Sequence, residues 1–340
     1  MLFQRWDHPA VWRCRDLESR QDWQIEFDPE SLRELKDLME EDESGAQEIE
    51  SLSAVDDVYP NLLRMMLQIR EDLESGTGIV RLAGFPSEKV ESDRAVVAFW
   101  RMLNAIGTPV AQTAEGRRLF RVQDERLAAN HPAARGPSSS RRLSFHTDRC
   151  DVIGFLCVRQ AISGGDNLVV SSMSVFNRLF DERPDLLETL CQPFFYQRHN
   201  VDAGNQHRFY AQPVFTERDG YFAASLLRVL IERAYQDPQI GPMSDQQRQA
   251  LDFLEEVAED PSLHVRFRQR PGEILLLNNH VTMHRRDAFE DESAASGRLL
   301  WRLWLAVPNS RPLHECYGAS YGDTSPGAVR GGMRFRAAND

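Results

Sequence analysis

Apolar residues recur every three to four positions through the first hundred residues, then gather into short dense runs. In "FDPESLRELKDLM", Asp28 stands as N-cap and Pro29 at the first helical position. Leu32, Leu35, Leu38 and Met39 fall on one face, so the spacing predicts a helix. "NLLRMMLQIREDL" and "SDRAVVAFWRML" carry the same spacing. Between them, "GIVRLAGFP" predicts a short strand closed by Gly84 and Pro86. From about Leu119 the texture changes to strands: "LFRV", "DVIGFLCV", "NLVVSS", "FFYQRH", "RFYAQPVF", "HVRFRQR", "EILLLNN" and "RLLWRLWLAV". Two helical insertions interrupt them, "MSVFNRLFDERPDLLETL" and "SDQQRQALDFLEEVAED", the second opening on a capping box of Ser244 and Gln247.

Many short strands with helical interruptions predict a mostly β fold, a jelly roll or barrel with helices on its outside. Strands do not alternate regularly with helices, so a doubly wound parallel sheet fits poorly. No repeat or sharp composition break divides the chain. It reads as a single domain over 1–340, with a helix-rich part at 1–105, a strand-rich core with helical insertions at 106–312 and a tail at 313–340. "EDESAASG" reads as a flexible loop and the tail "GAVRGGMRFRAAND" as mobile.

Composition removes several function classes. The formal net charge is -12, which opposes nucleic-acid surfaces and anionic membranes as partners. No apolar run approaches a bilayer span. Charges break "MLFQRWDHPAVW" too early for a signal peptide. The five scattered cysteines suit a reducing cytoplasm and include no Cys-x-x-Cys pair for structural zinc. Only two lysines, Lys36 and Lys89, stand among the 40 basic residues, and neither follows a glycine-rich loop, so a P-loop is excluded. Cys150 and Cys157 read as core thiols rather than nucleophiles.

"RLSFHTDRCDV" places His146 and Asp148 two residues apart. In a strand, such residues share a face and could ligate one divalent metal, although a single His-x-Asp is also common by chance. A third ligand is available in "PGEILLLNNHVTMHRRDAFED", as either His280 or His284. Two histidines and one carboxylate would leave positions open on iron(II). In "GRLLWRLWLAV", alternation sets Arg298, Leu300, Arg302 and Trp304 on one face. The arginines lie among apolar residues, and a buried guanidinium requires an anionic partner. Roughly 13 Å of strand separates them, so two anionic groups are implied. Internal salt bridges satisfy the same pattern.

The order "FHTD", "SGGDNLVVSS", "PGEILLLNNHVTMHRRDAF", "RLLWRLWL" resembles the taurine dioxygenase/TfdA family of iron(II)- and 2-oxoglutarate-dependent oxygenases, which includes clavaminate synthase-like enzymes. The likeness runs from about Thr77 to Pro312. It implies a double-stranded β-helix, a jelly-roll core with metal at its mouth. It places the metal ligands on His146, Asp148 and His284, rather than His280. It places the anchor for the far carboxylate of 2-oxoglutarate on Arg298, and the substrate's acid on Arg302. Where relatives often carry Thr or Ser beside 2-oxoglutarate, this chain has Asn167, whose amide can still donate a hydrogen bond. Iron(II), 2-oxoglutarate and dioxygen are the implied cofactor and co-substrates, with succinate and CO2 as co-products. Asp148 occupies the position that related halogenases leave small for chloride, so hydroxylation is expected, of an amino acid or a derivative bearing a carboxylate.

Other readings stay open on sequence alone. They are sulfonate catabolism of the taurine type, desaturation or cyclisation in biosynthesis, a zinc hydrolase on the same ligands, and a jelly-roll binding protein without turnover. The substrate is expected to be a small anionic molecule, its further contacts coming from loops such as "AARGPSSSRRLS". Self-association into a homo-oligomer is left open.

Overall fold

Two largely antiparallel sheets face each other in the computed structural model, whose described residues are 4–41, 48–127, 136–202, 204–293 and 296–335. The strands around the site are β1 (Ile79–Ala83), β2 (Val152–Arg159), β3 (Asn167–Ser171), β4 (His264–Phe267), β5 (Ile274–Asn278), β6 (Thr282–Arg286) and β7 (Leu299–Ala306). The larger sheet runs β1–β5–β2–β7. Gln24–Glu26 joins β1 in parallel, and Thr108–Pro109 and Leu119–Val122 both pair with β7. The smaller sheet is β4–β3–β6. The chain passes from the larger to the smaller sheet between β2 and β3, and again between β5 and β6, which makes the sandwich a jelly roll. The helix-rich first part is joined to this core, because β1 pairs with β5 over Ile79–Leu82.

Burial on both faces explains the dense apolar runs. Ile153, Val169, Leu275, Leu277 and Trp304 fill the space between the sheets. On the outer face of β7, Leu303 and Leu305 pack with the helices Pro29–Glu40, Pro60–Ser75 and Asp93–Ile106. Leu168, Val170 and Met283 of the smaller sheet pack beneath helices that include Ser172–Glu182 and Asp245–Ala258. The capping box at Ser244 and Gln247 is formed. Pro184 divides the first helical insertion into Ser172–Glu182 and Pro184–Leu190, since proline tolerates only a helix start. A helix at Arg228–Tyr235 has no counterpart in the sequence reading. Ion pairs from Arg228 to Glu232, Asp252 and Glu255 hold this short segment.

The tail departs from its reading as a mobile segment, at least through Phe335. Arg330 Nε donates to Asp151 Oδ1 at 2.8 Å, and Arg330 Nη2 to the Arg311 carbonyl at 2.7 Å. Met333 N–H reaches the Ala111 carbonyl at 2.7 Å. Gly331 and Gly332, with φ of 81° and 68°, let the chain thread this close to the core. A Cβ on Gly331 would lie 2.5 Å from the Arg149 carbonyl. Glycine density therefore marks a tight passage here rather than disorder. Residues 336–340 lie outside the described residues, as do 133–135 of "AARGPSSSRRLS" and 294–295 of "EDESAASG". The described end of the former loop is tied down: Arg286 Nη2 donates to the carbonyls of Ser139 at 2.8 Å and Arg141 at 2.6 Å.

Candidate metal centre

His146 and His284 meet across a two-bond bridge, each backbone N–H donating to the other's carbonyl at 3.0 Å. This bridge adds His146 to the free edge of β6, and brings the two imidazole centroids to 4.5 Å. Asp148 follows beyond the bridge, outside any regular strand, so a shared strand face does not account for its position. Its backbone N–H donates to Asn279 Oδ1 at 2.9 Å, which fixes the turn. Its Oδ2 lies 3.9 Å from His284 Nε2. One ligand atom from each of His146, Asp148 and His284 lies within 4.8 Å of the others, the one such group found among the described residues.

The chemistry of this donor set fits a divalent cation. His146 Nδ1 lies 2.9 Å from the Ser144 carbonyl, so this nitrogen carries the proton and Nε2 keeps its lone pair. Burial and the neighbouring His146 push the His284 pKa down to about 3, which leaves that imidazole neutral and able to coordinate. Trp304 Nε1 donates to Asp148 Oδ2 at 3.2 Å, and Arg302 Nη1 lies 3.5 Å away. Both donors converge on that one carboxylate oxygen.

His280 points elsewhere. Its Nε2 meets Asp151 Oδ1 at 2.8 Å in the core, and neither group is appreciably exposed. Asp151 also accepts from Arg330 Nε and, through Oδ2, from Val307 N–H at 3.1 Å. Burial lowers the His280 pKa to about 4, so a neutral imidazole donates to an ionised Asp151. This network joins the turn after β5, the residue before β2, the residue after β7 and the tail. Asp151→Ala is expected to cost about 3–5 kcal/mol, because it leaves Arg330 buried without its carboxylate. Urea unfolding measures that loss, and the folded fraction should still bind metal.

A narrow cavity opens on the other side of the histidines. His146, His284, Phe155, Asn167, Arg286, Arg298 and Arg302 are among its lining residues. Arg298 is 2% exposed, yet forms no ion pair with a described residue. Its Nε donates to Gln160 Oε1 at 3.2 Å, and its guanidinium stands 5.5 Å from the Phe289 ring centroid. Burial pushes its pKa down to about 10. Arg286 stacks 4.5 Å from the same centroid, and burial and Arg298 push its pKa down to about 9. Two buried cations thus flank one ring with carbonyl and amide oxygens as partners, an arrangement an incoming carboxylate would complete. Asn167 faces the cavity from the start of β3, its Nδ2 3.4 Å from Gln269 Oε1. The sequence reading missed Arg286, since nothing in "HRRDAF" distinguishes it from a surface charge.

Arg302 occupies the wall between this cavity and a larger one of about 680 Å³. It lies between Phe120 and Trp304, 4.9 Å from each centroid, and its Nε donates to Gln112 Oε1 at 2.6 Å. Its Nη2 is buried without a partner among the described residues. Gln112 also escaped the sequence reading, because its partner lies far away along the chain; alternation sets Trp304 on the arginines' face but gives it no role. The larger cavity is lined by His146, Asp148, Arg149, Arg198, Tyr210 and Tyr321, among others. No helix among the described residues is long and apolar enough to cross a membrane.

Comparison with known proteins agrees with this architecture. FR-33289 synthase of Streptomyces rubellomurinus is 29% identical over 310 residues, covering 89% of this chain and 90% of that protein. Asparagine oxygenase, solved with Fe(II), 2S,3S-3-hydroxyasparagine and succinate, superposes with a TM-score of 0.61 at 17% identity, over 83% of this chain and 93% of its own. The non-heme iron oxygenase OrfP, solved with Fe and alpha-ketoglutaric acid, gives 0.58 at 14% identity over the same shares. The family model "Taurine catabolism dioxygenase TauD, TfdA family" matches residues 46–304. The chain belongs to that family and is an iron(II)- and 2-oxoglutarate-dependent dioxygenase.

Proposed function

We propose that the protein hydroxylates a small anionic molecule, an amino acid or a close derivative, at iron(II) held by His146, Asp148 and His284. One observation carries the assignment. The ligand atoms of these residues converge, and two of the three, His146 and His284, line the same cavity as Arg298, a buried guanidinium without an ion-pair partner among the described residues. Iron(II) with 2-oxoglutarate and dioxygen supplies the oxidising power to break a substrate C–H bond, leaving succinate and CO2.

The chain's own residues orient and exclude. Arg298 fixes the far carboxylate of 2-oxoglutarate by its two-pronged fork, with Asn167 beside it. Phe155, Leu275 and Leu300 line that cavity with apolar surface, which limits water around the co-substrate. Trp304 orients Asp148 through its Nε1 hydrogen bond. Arg302 offers its spare Nη2 to an acid arriving from the larger cavity. An amino-acid substrate agrees with the hydroxyasparagine in the asparagine oxygenase complex.

Anaerobic addition of iron(II) and 2-oxoglutarate to the metal-free protein is expected to give the visible charge-transfer absorption of the chelate. Admitting oxygen with a panel of amino acids and sulfonates should then yield succinate in step with one of them. The assignment fails if no absorption develops and no 2-oxoglutarate is consumed with any of them.

A further inference from the structure

Arg149, the residue after Asp148, sits in an unbalanced cluster on the wall of the larger cavity. Its Nη1 pairs with Asp202 Oδ2 at 2.9 Å. Arg198 Nη1 reaches the same oxygen at 3.3 Å. Two guanidinium groups thus share one fully buried carboxylate, leaving one positive charge uncompensated. Arg198 is committed: Nε donates to the His207 carbonyl, Nη2 to the Ala319 carbonyl, and its guanidinium lies 4.8 Å from the Tyr210 centroid. Arg149 is not. Among the described residues its Nη2 has only the thioether of Met333, at 3.1 Å, and its Nε is buried without a partner.

A second unsatisfied donor lies nearby. Tyr321 is 3% exposed, lines the same cavity, and its hydroxyl has no partner among the described residues. The threaded tail holds the two residues together. Gly331 N–H donates to the Tyr321 carbonyl at 2.8 Å and Gly332 N–H to the Arg149 carbonyl at 2.7 Å. Orphaned donors in a buried, net-positive wall cost stability unless a ligand satisfies them.

We propose that the substrate carries two acidic groups, and that Arg149, with the Tyr321 hydroxyl, receives the second. This rests on the reading above, in which Arg302 takes the first acid. The placement of charge supports the count. Arg302 and the Arg149 cluster are two separate cationic places on the wall of the larger cavity, apart from Arg298 and Arg286 around the narrower one. A carboxylate and a phosphate-type group share the chemistry that satisfies Arg149.

Matched pairs test this: L-glutamate against L-glutamine, and O-phospho-L-serine against L-serine. Each is titrated calorimetrically into the anaerobic enzyme saturated with iron(II) and 2-oxoglutarate. At least one acid should bind about tenfold more tightly than its neutral partner, the size of a charge-assisted contact. Arg149→Gln should erase that preference while the chelate absorption stays. Asp202 keeps Arg198 and the Arg334 N–H in that variant, so the wall remains paired. Tyr321→Phe should weaken the acid several-fold without lowering the thermal midpoint, since the lost hydroxyl bonds nothing in the fold. A purely structural tyrosine would leave affinity unmoved. The proposal is overturned if neutral partners bind as well as the acids, if no acid binds, or if the preference survives Arg149→Gln. Failure of the parent reading is distinct, because the absorption would then be missing before any amino acid is added.

Discussion

His284→Ala is expected to abolish the iron(II)–2-oxoglutarate absorption, whereas His280→Ala leaves it in place and unfolds at lower urea. The two histidines are four residues apart and both buried, yet their surroundings differ in kind. His284 faces Asp148, and its ring lies tilted against that of His146. Loss of outer partners of a metal ligand typically costs about 10–100-fold in affinity, so loss of a ligand itself should exceed that. Equilibrium dialysis of iron(II) under anaerobic conditions reads this directly. His280 instead plugs the core against Asp151, with its ring 5.6 Å from that of Tyr321. Its truncation leaves a cavity and strips one donor from a buried carboxylate, a loss of about 2–5 kcal/mol. The opposite pattern, with absorption lost in His280→Ala and kept in His284→Ala, would transfer the third ligand to His280.

Spacing could not separate these histidines, because the deciding contact joins positions 151 and 280. The residue pattern before the likeness to a family left both open, and the register of β6 on β3, with His284 opposite Val169, shows which one borders the cluster. The strand-rich core was legible for a physical reason. β5 and β7 are so thoroughly buried that their apolar runs stand out without alternation. The arginines of "GRLLWRLWLAV" were legible by contrast with that background, since charges are rare there. The polar residues that shape the site from a distance were not. Gln112 reaches across 190 positions to Arg302, and Arg330 across 179 to Asp151. Side chains of this kind look like surface residues until the fold assembles them. The tail misled in the same way, because glycines that permit a tight passage have the composition of a mobile end.

Arg298→Ala should raise the 2-oxoglutarate requirement steeply while leaving the fold as stable as before, or more so. Removing one partner of a buried, hydrogen-bonded charge pair costs roughly 2–5 kcal/mol, which corresponds to about 30- to 4,000-fold in dissociation constant. The stability claim follows from what Arg298 lacks. Its guanidinium is buried against Gln160 and the Phe289 ring, forms no ion pair with the nearby Asp291 or any other described residue, and burial lowers its pKa to about 10. Arg286 beside it adds repulsion. A structural salt bridge would behave oppositely, since its loss strands a buried acid and destabilises the fold. Binding linkage sharpens the contrast. At a fixed co-substrate concentration with manganese as the metal, 2-oxoglutarate should raise the melting temperature of the unaltered protein and barely move that of the variant. Arg298→Lys keeps the charge but loses the fork, so it should fall between the two. If Arg298→Ala melts several degrees lower with unchanged affinity for 2-oxoglutarate, the guanidinium belongs to the scaffold and the co-substrate must be anchored elsewhere.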